Sequence, residues 1–328
     1  MSGTSGSSAG STSPSMENES PLGVLLMAYG TPGSLDEVEP YYTDIRRGRP
    51  PPPELLSELI ERYRLVGGRT PLLEISRRQA DALQRRLGPD FRVFLGMKHW
   101  HPYIRDAVAD MRAARVSRAV AIVLAPHYSL GSVGEYADRV ERAKEELSYR
   151  LDVEVVRSWH LSPHYLDAVQ RHIVDALARL ERPDLTTIVF TAHSLPVRVA
   201  ATGDPYEPQL LETSQALAAR LGWPEERWRF SYQSAGRTAD PWLGPDILET
   251  VEELARQGVS EILLAPIGFI ADHLEIFYDI DHEATAAAAA RGMRLSRIES
   301  LNDDPDLIEA LAKLAEAQLL GSGVTTGA

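Results

Sequence analysis

Gly23-Val-Leu-Leu-Met-Ala-Tyr-Gly-Thr-Pro32 is an apolar run of strand length that ends in a tyrosine and a turn. Thr187-Ile-Val-Phe-Thr-Ala-His-Ser-Leu-Pro196 repeats the pattern later in the chain, with histidine in the tyrosine's place. A second pair follows in the same order, Ile122-Val-Leu-Ala-Pro126 and Ile262-Leu-Leu-Ala-Pro266. Continuous apolar runs suit strands buried on both faces, hence parallel strands covered by helices. Buried strands share a composition whatever their origin, so likeness alone leaves open whether the halves are related. The common order argues for a duplication. It would make Tyr29 and His193 equivalent, each at the C-terminal end of the first strand of its half. In open α/β sheets that edge is where ligands bind.

Working outward, short apolar runs predict strands over Val24–Ala28, Arg92–Gly96, Ala119–Ala125, Asp152–Ser158, Thr187–Ala192, Arg229–Gln233 and Glu261–Pro266. Longer amphipathic segments predict helices over Ile75–Leu87, Ile104–Arg115, Gly134–Arg150, Pro163–Leu180, Pro208–Leu221 and Asp246–Gln257. A last helix, about Pro305–Leu320, is expected to fold back on the first half. Strands alternating with helices give an α/β fold of two similar Rossmann-like domains, each a parallel sheet flanked by helices, with a cleft between them. The expected division is a disordered tail over residues 1–20, an N-terminal domain of 21–152 plus 300–320, and a second domain of 153–299. The tail has no basic or apolar stretch of a secretory signal. Its Gly6-Ser7-Ser8-Ala9-Gly10 fits the hydrolase G-x-S-x-G pattern, but no strand precedes it and no helix follows.

Composition narrows the chemistry. The 328 residues carry a formal charge of −13, which disfavours nucleic acid and anionic membranes as partners. There is no cysteine, so thiolate zinc sites and a cysteine-ligated iron–sulfur cluster are excluded. No apolar run reaches the roughly 20 residues of a membrane span. P-loop, G-x-G-x-x-G and H-E-x-x-H patterns are absent.

Four constellations remain. His193 in Thr191-Ala-His-Ser-Leu-Pro196 follows a buried strand and points to a cleft, as a base or metal ligand or as a plain strand-end hydrogen-bonding group. Glu275, Asp279 and Glu283 recur at i, i+4 and i+8, and no Lys or Arg lies between Arg256 and Arg291. Such a row is either a solvated face or a path for a hard or borderline cation. Asp272 nearby reads as a helix cap. Arg and Tyr gather between Tyr41 and Thr70, as a lip for a flat anionic ligand or an ordinary charged surface. In Lys98-His-Trp-His-Pro102 a cleft-lining or hydrogen-bonding role is favoured over metal binding. His127 is ambiguous, and His160, His164 and His172 read as structural.

The strings LLMAYGTP, YYTDIRRGR, GMKHWHPYI, IVLAPHYS, TAHSLP, GDPYEPQL, DPWLGPD and GFIADHLEIFYDID, in order from about residue 22 to 318, resemble those of ferrochelatases. Within that family the chain is similar to the soluble bacterial type that metallates coproporphyrin III. The resemblance implies a class II chelatase-like fold and insertion of Fe2+ as a substrate. It implies His193 and Glu275 as the Fe2+ site; on the cation-path reading of the carboxylate row, Asp279 and Glu283 lead the metal to it and an accessory divalent cation is expected at that helix. It further implies Tyr29 approaching the iron from the opposite porphyrin face. Arg46, Arg62, Tyr63, Thr70 and Tyr136 match porphyrin-contacting positions. Family members with cysteine-bound iron–sulfur clusters exist, and this chain lacks the cysteines. Gly134-Glu135 before Tyr136, and His282, depart from the family pattern. A cytoplasmic monomer is expected, meeting the porphyrin and, transiently, neighbouring haem-pathway enzymes. Three other readings stay open: a protoporphyrin IX ferrochelatase, a related Co2+ or Ni2+ tetrapyrrole chelatase, and a porphyrin or haem carrier without catalysis.

Overall fold

The computed structural model describes residues 20–236 and 240–321; the tail expected over 1–20 lies outside them except for Ser20. The first sheet contains β1 (Leu22–Ala28), β2 (Phe91–Met97), β3 (Arg118–Val123) and β4 (Asp152–Val156). The second contains β5 (Thr186–His193), β6 (Trp228–Gln233), β7 (Glu261–Ala265) and β8 (Arg294–Arg297). The strand orders are β2-β1-β3-β4 and β6-β5-β7-β8, and every pairing is parallel. The halves therefore share one topology, and β1 corresponds to β5, as the matched runs imply. The central strands read as unbroken apolar runs because both their faces are covered; β1 is buried from Gly23 to Ala28 and β7 throughout.

Helices α1 (Val38–Ile45), α2 (Pro53–Leu65), α3 (Leu72–Leu87), α4 (Ile104–Ala113), α5 (Glu135–Glu146) and α6 (Pro163–Ala178) accompany the first half. Helices α7 (Val197–Ala200), α8 (Tyr206–Leu221), α9 (Ile247–Arg256), α10 (Thr285–Ala289) and α11 (Pro305–Leu320) follow. One core joins the inner faces of both sheets. Val24, Leu26 and Ile122 belong to it with Ile188, Phe190 and Leu263, and α6, α8 and α11 fill the space between. A second core packs Leu25, Met27, Ala121 and Val123 against α4 and α5. A third packs Val189, Ile262 and Leu264 against α9 and the Ile276–Ala288 stretch. The layers thus run helix, sheet, helix, sheet, helix.

Helix α11 does return to the first half. It is buried on most sides, from Leu307 through Leu311 and Ala312 to Leu319. The Asp304 carboxylate accepts from the Asp306 N–H at 2.9 Å at its N-terminus. Arg118, opening β3, donates to the carbonyls of Leu319 and Gln318 at 2.9 and 3.1 Å at its C-terminus.

Two expectations need correction. The division at 152/153 cuts into the first sheet, because Asp152–Val156 pairs with β3. Strand β8 was not expected at all: Arg294–Arg297 is half exposed and carries no apolar run, and pairing with β7 makes it a strand. Among the described residues no helix is long and apolar enough to cross a membrane.

Gly268, just after β7, crosses the end of β5. A Cβ there would stand 2.6 Å from Ala192 Cβ and 2.9 Å from Ala192 Cα, both fixed by the sheet. Gly268→Ala should therefore push the end of β5 aside, lowering unfolding stability by about 1–3 kcal/mol and reducing metal insertion together with it. Denaturant melts and a metallation assay measure both, and a variant with unchanged stability and rate contradicts the close approach.

Candidate metal-insertion site

The C-terminal ends of the central strands open on one cavity of about 600 Å³, lined from both halves. Tyr29, Tyr63, Thr70, Lys98, Glu135 and Tyr136 contribute from the first, and His193, Tyr206, His273 and Glu275 from the second. Tyr29 and His193 thus stand at the same cavity, as the strand-end equivalence requires.

His193 is the last residue of β5, in register with Gln233 of β6. Backbone around it is tied down: Tyr206 Oη donates to its carbonyl at 3.1 Å, and the next N–H, of Ser194, donates to the Gln233 carbonyl at 2.8 Å. Trp242 meets the imidazole edge-on, with centroids 6.3 Å apart. Its Nδ1 lies 3.1 Å from Glu275 Oε2. On the other side His273 Nε2 is 3.7 Å from the same oxygen, and His273 Nδ1 is 2.9 Å from the Ala271 carbonyl. Glu275 sits at the start of a helical stretch, where the exposed N–H groups favour a negative charge. From Ile276 to Ala284 that stretch winds as a π-helix, and only then continues as α10. A π segment, Leu130–Gly134, also leads into α5. Such insertions gather at functional sites, and here each follows the third strand of its half.

Electrostatically the pair is ionic. Burial works against charge on the Glu275 carboxyl, but His193 and then His273 hold it well below the usual carboxylate range. Burial likewise opposes a proton on His193, and Glu275 outweighs it, so the imidazole is raised above its ordinary value. Burial first, then the charge of Glu275, pushes the Tyr29 phenol far up and keeps it protonated.

Tyr29 is placed by the end of β2: Lys98 N–H donates to the Ala28 carbonyl at 2.8 Å and His99 N–H to the Tyr29 carbonyl at 2.9 Å. The His99 ring stands 4.7 Å from that of Tyr29, and its Nδ1 is 2.8 Å from Asp44 Oδ2. Burial holds His99 below its ordinary value, so it is a neutral hydrogen-bonding group of the cavity wall. His101 turns away and is exposed, so the two histidines do not form a metal pair. Tyr63 and Thr70 are buried beneath the cavity, 3.3 and 2.8 Å from Thr31 Oγ1. Tyr136 is buried in the wall.

Arg46 and Arg62 are not among the lining residues; Arg47 is. Arg46 lies over the Tyr42 ring at 5.9 Å, with a buried Nε that finds no hydrogen-bond partner among the described residues. Arg62 lies over the Tyr278 ring at 4.5 Å and pairs with Glu58 at 3.1 Å and Asp279 at 3.5 Å. The carboxylate row is therefore not left without a cation: the basic partner comes from α2, over 200 residues away in the chain, where a local scan cannot see it. Asp279 also accepts from Ser234 Oγ. Burial, then Glu275, pushes its pKa up to about 6. Glu283 lies farther along, where its charge reaches Tyr278 and Asp246. Among the described residues no group of three or more His, Asp or Glu is arranged to hold a metal ion. Asp272 is not a cap; it binds Arg297, Ser300 and Asn302 at 3.2, 2.7 and 2.9 Å and so anchors the loop before Glu275.

Sequence reading gave no role to His273, although it stands two residues before Glu275, nor to Arg139, which lines the cavity. His127 is buried and lines it too, with Nε2 2.9 Å from Thr213 Oγ1. His160 and His172 make hydrogen bonds at 2.8 Å to Glu212 and to the Glu299 carbonyl, as structural histidines do.

The ferrochelatase family model matches residues 21–319. Similar proteins include a ferrochelatase of Thermus thermophilus, 48% identical over 316 residues and covering 90% of this chain and 99% of that one. A ferrochelatase of Herpetosiphon aurantiacus is 45% identical over 301 residues, with 90% and 98% covered. The coproporphyrin III ferrochelatase of Bacillus pumilus is 40% identical over 306 residues, with 91% and 97% covered. Among solved structures, the sirohydrochlorin chelatase SirB from Bacillus subtilis subspecies spizizenii in complex with cobalt matches with a TM-score of 0.57 at 9% identity, over 92% of this chain and 96% of that one. That likeness establishes the class II chelatase fold.

Two titration outcomes follow. In metal-free Glu275→Gln the charge that raises His193 is gone and burial remains, so the imidazole pKa measured by NMR should fall below that in the unmodified chain; an unchanged value breaks the ion pair. Asp279 is raised from 3.8 to about 6, so folding takes up a proton there and its contribution to stability is lost as pH rises between those values. Asp279→Asn lacks this loss. The stability of the variant relative to the unmodified chain should rise between pH 4 and pH 7 by on the order of 2–3 kcal/mol, and a pH-independent difference contradicts the burial argument.

Proposed function

Since the chain belongs to the ferrochelatase family, and is thus a metal-chelating enzyme of haem biosynthesis, we infer that its porphyrin is coproporphyrin III and that Fe2+ enters it at His193 and Glu275. The observation that carries this reading is the polarisation of the cavity. Arg47, Lys98 and Arg139 line it from the first half around a single carboxylate, Glu135, whereas from the second the lining acid is Glu275, with Asp279 behind. A flat tetracarboxylate finds cations along one side, and a divalent ion finds carboxylates along the other. The Bacillus pumilus relative is named for coproporphyrin III, the Thermus relative only for ferrochelatase.

Metallation removes two pyrrole protons and strips water from Fe2+. One imidazole nitrogen and one carboxylate make an incomplete coordination set, so the ion is bound weakly until porphyrin nitrogens complete it. His193, with its raised proton affinity, and Glu275 share the work of accepting protons and guiding the metal. Tyr29, protonated, offers a hydroxyl from the opposite wall. Tyr63, Thr70 and Tyr136 shape the wall that the macrocycle meets, while Arg46 and Arg62 lie just behind it. We read Asp279 and Glu283 as an outer approach for the hydrated ion, through which an accessory divalent cation passes. A tetracarboxylate is water-soluble, so this reading needs no membrane contact and fits a cytoplasmic monomer.

Anaerobic Fe2+ insertion assayed in parallel tests the substrate. Two extra carboxylates, each contributing about 0.2–1 kcal/mol at exposed arginines, should raise kcat/KM for coproporphyrin III about two- to thirtyfold over protoporphyrin IX. Equal or better use of protoporphyrin IX without detergent refutes it. Glu275→Gln should lower the rate at least about 100-fold with porphyrin affinity retained; a near-normal rate removes Glu275 from the site.

A further inference from the structure

The cavity wall facing His193 carries more positive charge than the chemistry at His193 and Glu275 uses. Lys98 is only 4% exposed. Its Nζ lies 2.5 Å from Glu135 Oε2. Its other neighbours are aromatic faces, the rings of Tyr136 at 5.1 Å and Tyr29 at 5.9 Å. Arg47 reaches the same carboxylate at 3.4 Å. Arg139, on α5 one turn beyond Tyr136, lines the cavity as well, and among the described residues it has no ion-pair partner. Asp44, the other acid nearby, is taken by His99. Two cations therefore share one carboxylate, and a third, Arg139, stands at the same cavity with none, in a chain whose net charge is −13.

The backbone adds a second observation. Arg47 has φ +57° just past the end of α1. A left-handed residue at a helix end is usually glycine, and an L side chain there costs about 1 kcal/mol. The Arg47 side chain is 86% exposed, so burial does not offset that cost. What the conformation achieves is a guanidinium held at the cavity beside Glu135. Arg115 after α4 and Ser148 after α5 take the same left-handed conformation, and of the three only Arg47 lines the cavity.

We propose that Lys98, Arg47 and Arg139 form a carboxylate subsite of the cavity, and that Glu135 is its internal occupant, displaced when a carboxylate of the substrate arrives. A buried ammonium left without a counter-ion is costly. Glu135 supplies one while the cavity is empty, and exchange for a ligand carboxylate then needs little further desolvation. A ligand without a carboxylate cannot make the exchange, so Glu135 disfavours it. The subsite rests on the reading that this cavity accepts a carboxylate-bearing porphyrin.

Glu135→Gln keeps the shape and loses the charge. Metal-free coproporphyrin III, titrated at pH 7 by fluorescence, should bind this variant about three- to tenfold more tightly than the unmodified chain. Its tetramethyl ester should gain nothing. Arg139→Gln, at a partly exposed position that leaves the buried pair intact, should weaken coproporphyrin III by a similar factor. Thermal melts establish that both variants fold. Unchanged or weaker binding by Glu135→Gln overturns the proposal, and so does an equal gain with the ester; either makes Glu135 a structural clamp. A wrong substrate assignment shows differently, as preference of the unmodified chain for protoporphyrin IX. It leaves the ratio of Glu135→Gln to unmodified affinity above one for any porphyrin that carries carboxylates.

Discussion

A carboxylate set in a wall of apolar and aromatic groups costs several kcal/mol unless charge and hydrogen bonds compensate it. Glu275 is compensated by His193 at 3.1 Å and His273 at 3.7 Å, both at Oε2. That requirement reaches far into the fold. His193 must end β5 with its backbone fixed, which β6 and Tyr206 accomplish. The loop after β7 must pass close enough to bring Glu275 alongside, which needs Gly268 against Ala192. Asp272 must pin the same loop to the segment entering α11. The pair thus connects two strand ends, one loop and the segment entering the returning helix, and both side chains line the cavity.

The two halves share a topology and divide the chemistry. Equivalent strand ends bear Tyr29 in one half and His193 in the other. Each half inserts a π segment after its third strand. In the first half the following residues bring Glu135, Tyr136 and Arg139 to the cavity; in the second the residue just before the segment is Glu275. A duplicated frame needs only such substitutions near strand ends to gather Arg47, Lys98 and Arg139 on one wall and the His193–Glu275 pair on the other.

Much of this was legible in the chain. Short apolar runs located seven of the strands, most plainly the central ones, because strands buried on both faces write their burial directly into the sequence. The matched Ala-Tyr29 and Ala-His193 ends located the cavity. What stayed hidden was long-range or locally featureless. Arg294–Arg297 has no apolar signature, and only β7 makes it a strand. The carboxylate row looked unpaired because its basic partner, Arg62, comes from α2 and also lies over the Tyr278 ring. The ion pair of Lys98 with Glu135 joins positions 37 residues apart that periodicity does not relate.

The central claim is that His193 and Glu275 act as one unit in metal insertion. A double-mutant cycle on the rate of anaerobic Fe2+ insertion tests it most directly, with His193→Ala, Glu275→Gln and the two combined. If the pair is one device, the first loss disables it, and the combined variant is no slower than the slower single variant. If instead the two losses multiply, His193 and Glu275 contribute independently, and the account of a single coupled site is wrong.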